Sequence, residues 1–157
     1  MVLASQQIRP GTGHDAGRAL LRQLYGELTG QALPDILISD RGKPYFADNH
    51  LYFSISHTRA HVFCALSHHP IGIDAEELDR SINLQLAQKI LSPAEKTQFD
   101  AAADQRMALL TFWVLKEAQA KLTGHGLNGY PNNTDFSLDD PRVTIQDGCL
   151  LAVIEQD

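Results

Sequence analysis

The segment Ile71-Gly72-Ile73-Asp74-Ala75-Glu76 alternates strictly, placing Ile71, Ile73 and Ala75 on one side of an extended chain and Gly72, Asp74 and Glu76 on the other. A period of two over six residues does not suit a helical face, and it predicts a half-buried strand whose open face carries two acids. Three more strand candidates precede it: Ile36 to Ile38, Leu51 to Ser56 and Val62 to Ser67, separated by turn residues at 40–44 and 57–60 and closed by His68-His69-Pro70. An amphipathic helix is predicted before them from Asp15 to Gly30, with Ala19, Leu20, Leu24 and Leu28 at helical spacing, Asp15 as N-cap and an irregular stretch ahead of it. After Arg80 the pattern turns helical. Leu84, Ala87, Ile90 and Leu91 predict a short helix, and Ser92-Pro93-Ala94-Glu95 opens another with a capping box. A long helix follows from about Asp104 to Leu122, stopping at Gly124. Arg142 to Ile145 and Cys149 to Ile154 read as a closing hairpin turning at Gln146-Asp147-Gly148. Strands and helices are grouped rather than alternating, so the class is α+β.

At 157 residues the chain fits one domain, with no internal repeat and no Gly/Ser linker. Its 13 Lys and Arg against 19 Asp and Glu argue against non-specific nucleic-acid binding, which depends on basic groups neutralising phosphates. An anionic ligand would require a local cluster of basic groups. No apolar stretch reaches membrane-span length, and residues 1–13 lack the basic and apolar regions of a signal peptide. Two cysteines, Cys64 and Cys149, make no disulfide framework, and the expected compartment is the reducing cytoplasm.

Four groups of residues carry candidate chemistry. Asp74 and Glu76 point the same way from a strand and suit a hard cation such as Mg²⁺, with Gly72 leaving room for close approach; the alternative is a solvated acidic strand end. Glu117 and Lys121 lie one helical turn apart in Trp113-Val114-Leu115-Lys116-Glu117-Ala118-Gln119-Ala120-Lys121. They offer a third carboxylate and a phosphate-neutralising ammonium, or else form an ordinary surface ion pair beside a core tryptophan. Phe53-Ser54-Ile55-Ser56-His57 ends in hydroxyls and an imidazole able to donate to phosphate, although His57 alone also reads as structural. Gly42-Lys43-Pro44 presents a lysine on a turn, and Arg18 lies on the polar face of the first helix; each is weak in isolation.

In this order and spacing, Gly42-Lys43-Pro44, Phe53-Ser54-Ile55-Ser56-His57, Gly72-Ile73-Asp74-Ala75-Glu76 and the Trp113–Lys121 segment closely resemble the signature series of the 4′-phosphopantetheinyl transferases. The likeness is to the larger, pseudo-dimeric, synthetase-activating class, in its Trp/Lys-Glu-Ala variant. It implies two pseudo-twofold-related α+β halves, roughly 1–75 and 76–157, trimmed at both ends, in a monomer. It also implies transfer of the phosphopantetheine arm of coenzyme A to a serine of an apo acyl- or peptidyl-carrier protein, releasing adenosine 3′,5′-bisphosphate. Carried over by residue, Asp74, Glu76 and Glu117 would surround Mg²⁺ on the coenzyme A pyrophosphate. Glu117, or a metal-bound water it orients, would take the serine proton, and Lys121 would stabilise phosphate charge with help from Lys116. Lys43, Pro44, Arg18 and His57 would contact the nucleotide, the last two at its 3′-phosphate with Ser56 beside them. The competing readings are a coenzyme A- or nucleotide-binding module without catalysis and a metal-dependent pyrophosphate hydrolase.

Overall fold

A computed structural model describes residues 1–48, 50–125 and 134–157. Two three-stranded antiparallel sheets and one small hairpin hold its strands. The first sheet is ordered β1-β5-β4, from β1 (Val2–Gln7), β5 (His61–Ser67) and β4 (Tyr52–His57). The second is ordered β6-β8-β7, from β6 (Ile71–Glu77), β8 (Cys149–Glu155) and β7 (Val143–Gln146). The hairpin pairs β2 (Ile36–Ile38) with β3 (Pro44–Phe46). Helix α1 (Gly13–Thr29) covers the first sheet. Helix α4 (Gln105–Thr123) covers the second, flanked by a 3₁₀ turn at Leu84–Leu86, α2 (Ala87–Ile90) and α3 (Pro93–Ala101). The mixed helix and strand content agrees with the α+β expectation.

Alternation along β5 builds two interfaces at once. Val62, Cys64 and Leu66 pack on Leu20, Leu21, Leu24 and Tyr25 of α1, while Phe63 and Ala65 turn to the opposite side. There they meet Ile71, Ile73 and Ala75 of β6 and Cys149 and Leu151 of β8 in an apolar layer between the sheets. The other face of β8, Leu150, Ala152 and Ile154, packs on α4. The two cysteines are buried and unpaired. No helix of the described residues is long and apolar enough to cross a membrane.

Several local expectations hold. Ser92 and Glu95 form a reciprocal capping box with Pro93 at the first helical position. Asp104 caps α4, and Gly124 ends it in the left-handed region. Asp147 and Gly148, both at positive φ, close the β7–β8 hairpin. Others are corrected. The opening stretch is not irregular: residues 2–7 form β1, whose half-polar sequence without alternation is made extended by a ladder to β5 from Val2↔Leu66 to Gln7↔His61. Residues 44–46 continue past the turn as β3. Helix α1 starts at Gly13, and its buried stripe is Gly17, Leu20, Leu21, Leu24 and Tyr25, with Leu28 exposed.

The largest correction concerns β6. Its acid-bearing face is covered by α4, so Ile71 through Ala75 are all buried. The helix approaches because residue 72 has no side chain: a Cβ there would lie 2.0 Å from the Ala118 carbonyl oxygen and 2.5 Å from Leu122 N. Gly72 therefore admits a helix backbone rather than a ligand. Both clashing atoms belong to backbone, which has little freedom to yield. Gly72→Ala is expected to lower stability by about 1–3 kcal/mol or more through overpacking, read as a lower urea midpoint.

Candidate active site

Strands β4 and β6 lie side by side and are joined through hydroxyl side chains. Ser54 Oγ accepts from Ile73 N at 3.0 Å and Ser56 Oγ from Ala75 N at 3.1 Å, which the i, i+2 spacing of the two serines permits. Ser56 Oγ also donates to Asp74 Oδ1 at 3.1 Å. Lys121 Nζ donates to the same oxygen at 2.8 Å, reaching down from α4. Asp74 is 6% exposed, and its second oxygen, Oδ2, is buried with no hydrogen-bond partner. Burial raises the Asp74 pKa above the ordinary carboxylate value, while Lys121, Ser56 and Arg80 pull it down.

One turn before Lys121, the half-buried Glu117 faces the same region. Its pKa is raised by burial and then by the negative charge of Asp74, against the opposing pull of Lys121 and Arg80. Glu117 and Lys121 line a cavity of about 360 Å³, a size typical of small-molecule sites. The rest of its ionisable lining consists of basic residue types: His14, Arg18, Arg41, Lys43 and His57. A chain of net charge −6 thus concentrates basic groups in one concavity, which focuses positive potential there.

Each basic group has a local cause. The His57 ring lies against the start of α1, where a Cβ on Gly13 would fall 2.4 Å from its Cγ and Nδ1. Lys43 projects from the β2–β3 hairpin, and its Nζ donates to the Leu122 carbonyl at 2.5 Å, near the negative end of α4. Burial lowers the Lys43 pKa. Pro44 lines the cavity beside it. His14 and Arg41 escaped the sequence reading, although His14 sits one helical turn before Arg18 and Arg41 lies two residues before Lys43.

Three of the expected ligand residues, Lys116, Ser56 and Glu76, stand elsewhere. Lys116 is not in the cavity. It is buried on the core side of α4, its Nζ 2.8 Å from Glu95 Oε2 and 5.8 Å from the centre of the Phe136 ring. Adjacent helical residues point about 100° apart, so Lys116 and Glu117 cannot share a face. Ser56 is absent from the lining and is engaged by Asp74 and Ala75. Glu76 opens instead to a neighbouring polar cavity of about 690 Å³, which shares His57 with the first. Glu76 Oε1 accepts from Trp113 Nε1 at 3.2 Å and is ion-paired with Arg80. Among the described residues, no three His, Cys, Asp or Glu side chains already converge as a metal-ligand group.

The comparisons with known proteins converge. A family model described as the 4′-phosphopantetheinyl transferase superfamily matches residues 70–150, which contain β6, α4, β7 and the first two residues of β8. The 4′-phosphopantetheinyl transferase gsp of Aneurinibacillus migulanus is 31% identical over 115 residues, covering 71% of this chain and 48% of that protein. The 4′-phosphopantetheinyl transferase HetI of a Nostoc species is 33% identical over 122 residues, covering 71% and 52%. The 4′-phosphopantetheinyl transferase AcpT of Escherichia coli K12 is 34% identical over 114 residues, covering 69% and 56%. The chain spans about half the length of these curated relatives.

Proposed function

This chain belongs to the 4′-phosphopantetheinyl transferase superfamily, and from that premise we propose that it transfers the 4′-phosphopantetheine arm of coenzyme A to a serine of an apo acyl- or peptidyl-carrier protein, releasing adenosine 3′,5′-bisphosphate. One observation carries the reading. Asp74 and Glu117, two acids of raised pKa, stand beside a concavity lined by Arg18, Lys43, His57 and Lys121, so proton-accepting groups adjoin a site built for a polyanion. The recurring connectivity of the two sheets, β1-β5-β4 and β6-β8-β7, supports a pseudo-twofold relation between halves, with the site near their β4–β6 junction. Two unpaired cysteines suit a reducing compartment.

In the proposed reaction the serine hydroxyl oxygen forms a bond to the β-phosphorus of coenzyme A. The phosphorus–oxygen bond to the bisphosphate breaks, and the serine proton passes to a Glu117 carboxylate oxygen. Burial and the Asp74 charge make Glu117 a stronger base than a free carboxylate. Lys121 balances Asp74 and the phosphate charge together. Arg18 of α1 and His57, at the end of β4, hold the far phosphate of the nucleotide.

The residues fit Mg²⁺. The unpartnered, buried Asp74 Oδ2 is an oxygen donor awaiting a partner, and Glu117 is raised by the like charge that a cation would relieve. Asp74 and Glu117 would hold it, with Glu76 joining on release from its present partners. Bound there, such a cation would supply neutralisation of phosphate charge.

Intact-mass spectrometry tests the reading. Incubating the chain with Mg²⁺, coenzyme A and an apo carrier protein is expected to add the phosphopantetheine mass to the carrier serine. Coenzyme A binding without that increment on any of several carriers would leave a binding module. Free phosphopantetheine released without a carrier would instead identify a hydrolase.

A further inference from the structure

Glu76 and Glu117 open onto different cavities, although both flank Asp74. The side chain of Glu76 is held where it is by two donors on one oxygen, Arg80 and the Trp113 indole N–H. The Arg80 guanidinium also lies 5.7 Å from the centre of the Trp113 ring, so the three side chains form a closed cluster. Its backbone is anchored as well: Arg106 Nη1, from the first turn of α4, donates to the carbonyls of Leu78 at 2.8 Å and Arg80 at 3.0 Å. Arg80 is close enough to lower the pKa of both Asp74 and Glu117. It therefore performs, from within the chain, part of the charge balancing that a divalent cation would perform among the same acids.

We propose that Arg80 is an internal counter-ion that parks Glu76 on Trp113 and outside the cation site, so that a divalent cation binds by exchanging Glu76 from Arg80 to the metal. The inference rests on the Mg²⁺ reading above and assigns Arg80 as a positioning residue. Two effects act in the same direction when Arg80 is neutralised. Glu76 is freed to turn toward Asp74, and one positive charge that repels the incoming cation is removed.

The experiment titrates the native chain, Arg80→Gln and Arg80→Lys with Mg²⁺ alone, by calorimetry and by the emission of Trp113, the only tryptophan. Asp74→Asn, which should remove the heat, identifies the site. Arg80→Gln is expected to bind Mg²⁺ about tenfold more tightly than the native chain, equivalent to about 1.4 kcal/mol. Arg80→Lys, which keeps the ion pair, should stay near native affinity. Native Trp113 emission should move as Mg²⁺ saturates, and that of Arg80→Gln should start at the Mg²⁺-loaded position. Circular dichroism establishes that each variant is folded. If the native chain binds Mg²⁺ and Arg80→Gln binds it equally or more weakly, the counter-ion role is overturned and the metal reading stands. If neither the native chain nor Arg80→Gln takes up Mg²⁺, the metal reading falls and the counter-ion role with it.

Discussion

Glu117→Gln is expected to slow carrier loading by about 10²–10⁴-fold, the span attributed to a positioned proton acceptor. The substitution is nearly isosteric, so α4 keeps its packing on β6 and the thermal midpoint should barely move. The basic oxygen is lost together with one charge that would hold Mg²⁺, so the rate is read at saturating Mg²⁺. In the native chain that oxygen is made more basic by burial and by the charge of Asp74, and an amide in its place cannot accept the serine proton. Single-turnover mass analysis of the carrier measures the rate directly, separate from coenzyme A binding. A rate within a few-fold of native would move the proton acceptor to another group. Asp74→Asn is a less selective test, because Lys121 and Ser56 both lose their charged acceptor and the β4–β6 junction is disturbed with the chemistry.

Glu95→Ala should produce the largest loss of stability, about 3–5 kcal/mol, as expected when one member of a buried ion pair is removed. Glu95 is fully buried and serves several partners at once. Its carboxylate meets Lys116 Nζ at 2.8 Å and accepts from Ser92 N at 2.9 Å and Phe136 N at 3.0 Å. Truncation removes the capping box of α3, the tie to residue 136 and the buried negative charge facing Lys116. Against the total stability of about 5–15 kcal/mol usual for a domain, that loss is severe. Urea denaturation measures it. Replacing both partners, Glu95→Gln with Lys116→Met, should recover much of the loss, because no uncompensated charge is then buried. A double variant as unstable as Glu95→Ala would show that the bonds of Glu95 to the Ser92 and Phe136 backbone, rather than its charge, account for the loss.

Features that depend on a few neighbouring residues were legible from the chain alone. The alternation of residues 71–76 predicted β6, Ser92 and Glu95 predicted a helix start, and Asp147-Gly148 predicted a hairpin turn. Each is a local energetic preference that its own residues express. Strand β1 was hidden because Ser5, Gln6 and Gln7 carry no strand pattern, and β5 supplies the ladder that extends them. The site was half legible for a similar reason. Asp74, Glu117, Lys121, His57, Arg18 and Lys43 were nameable from type and spacing, whereas His14 and Arg41 reach the cavity only through the placement of α1 and the β2–β3 turn.

By itself, then, the sequence determined most of the elements, the order of the motifs and the residue types able to bind a polyanion and accept a proton. The tertiary structure decided where those groups point. Helix α4 came down on Gly72 and buried the acid-bearing face of β6, the helical angle between residues 116 and 117 sent one charge to the core and its neighbour to the cavity, and Arg80 turned Glu76 away from Asp74. Burial, facing direction and pairing are set by elements distant in sequence, and these are the quantities that fix the charge and reach of an ionisable side chain.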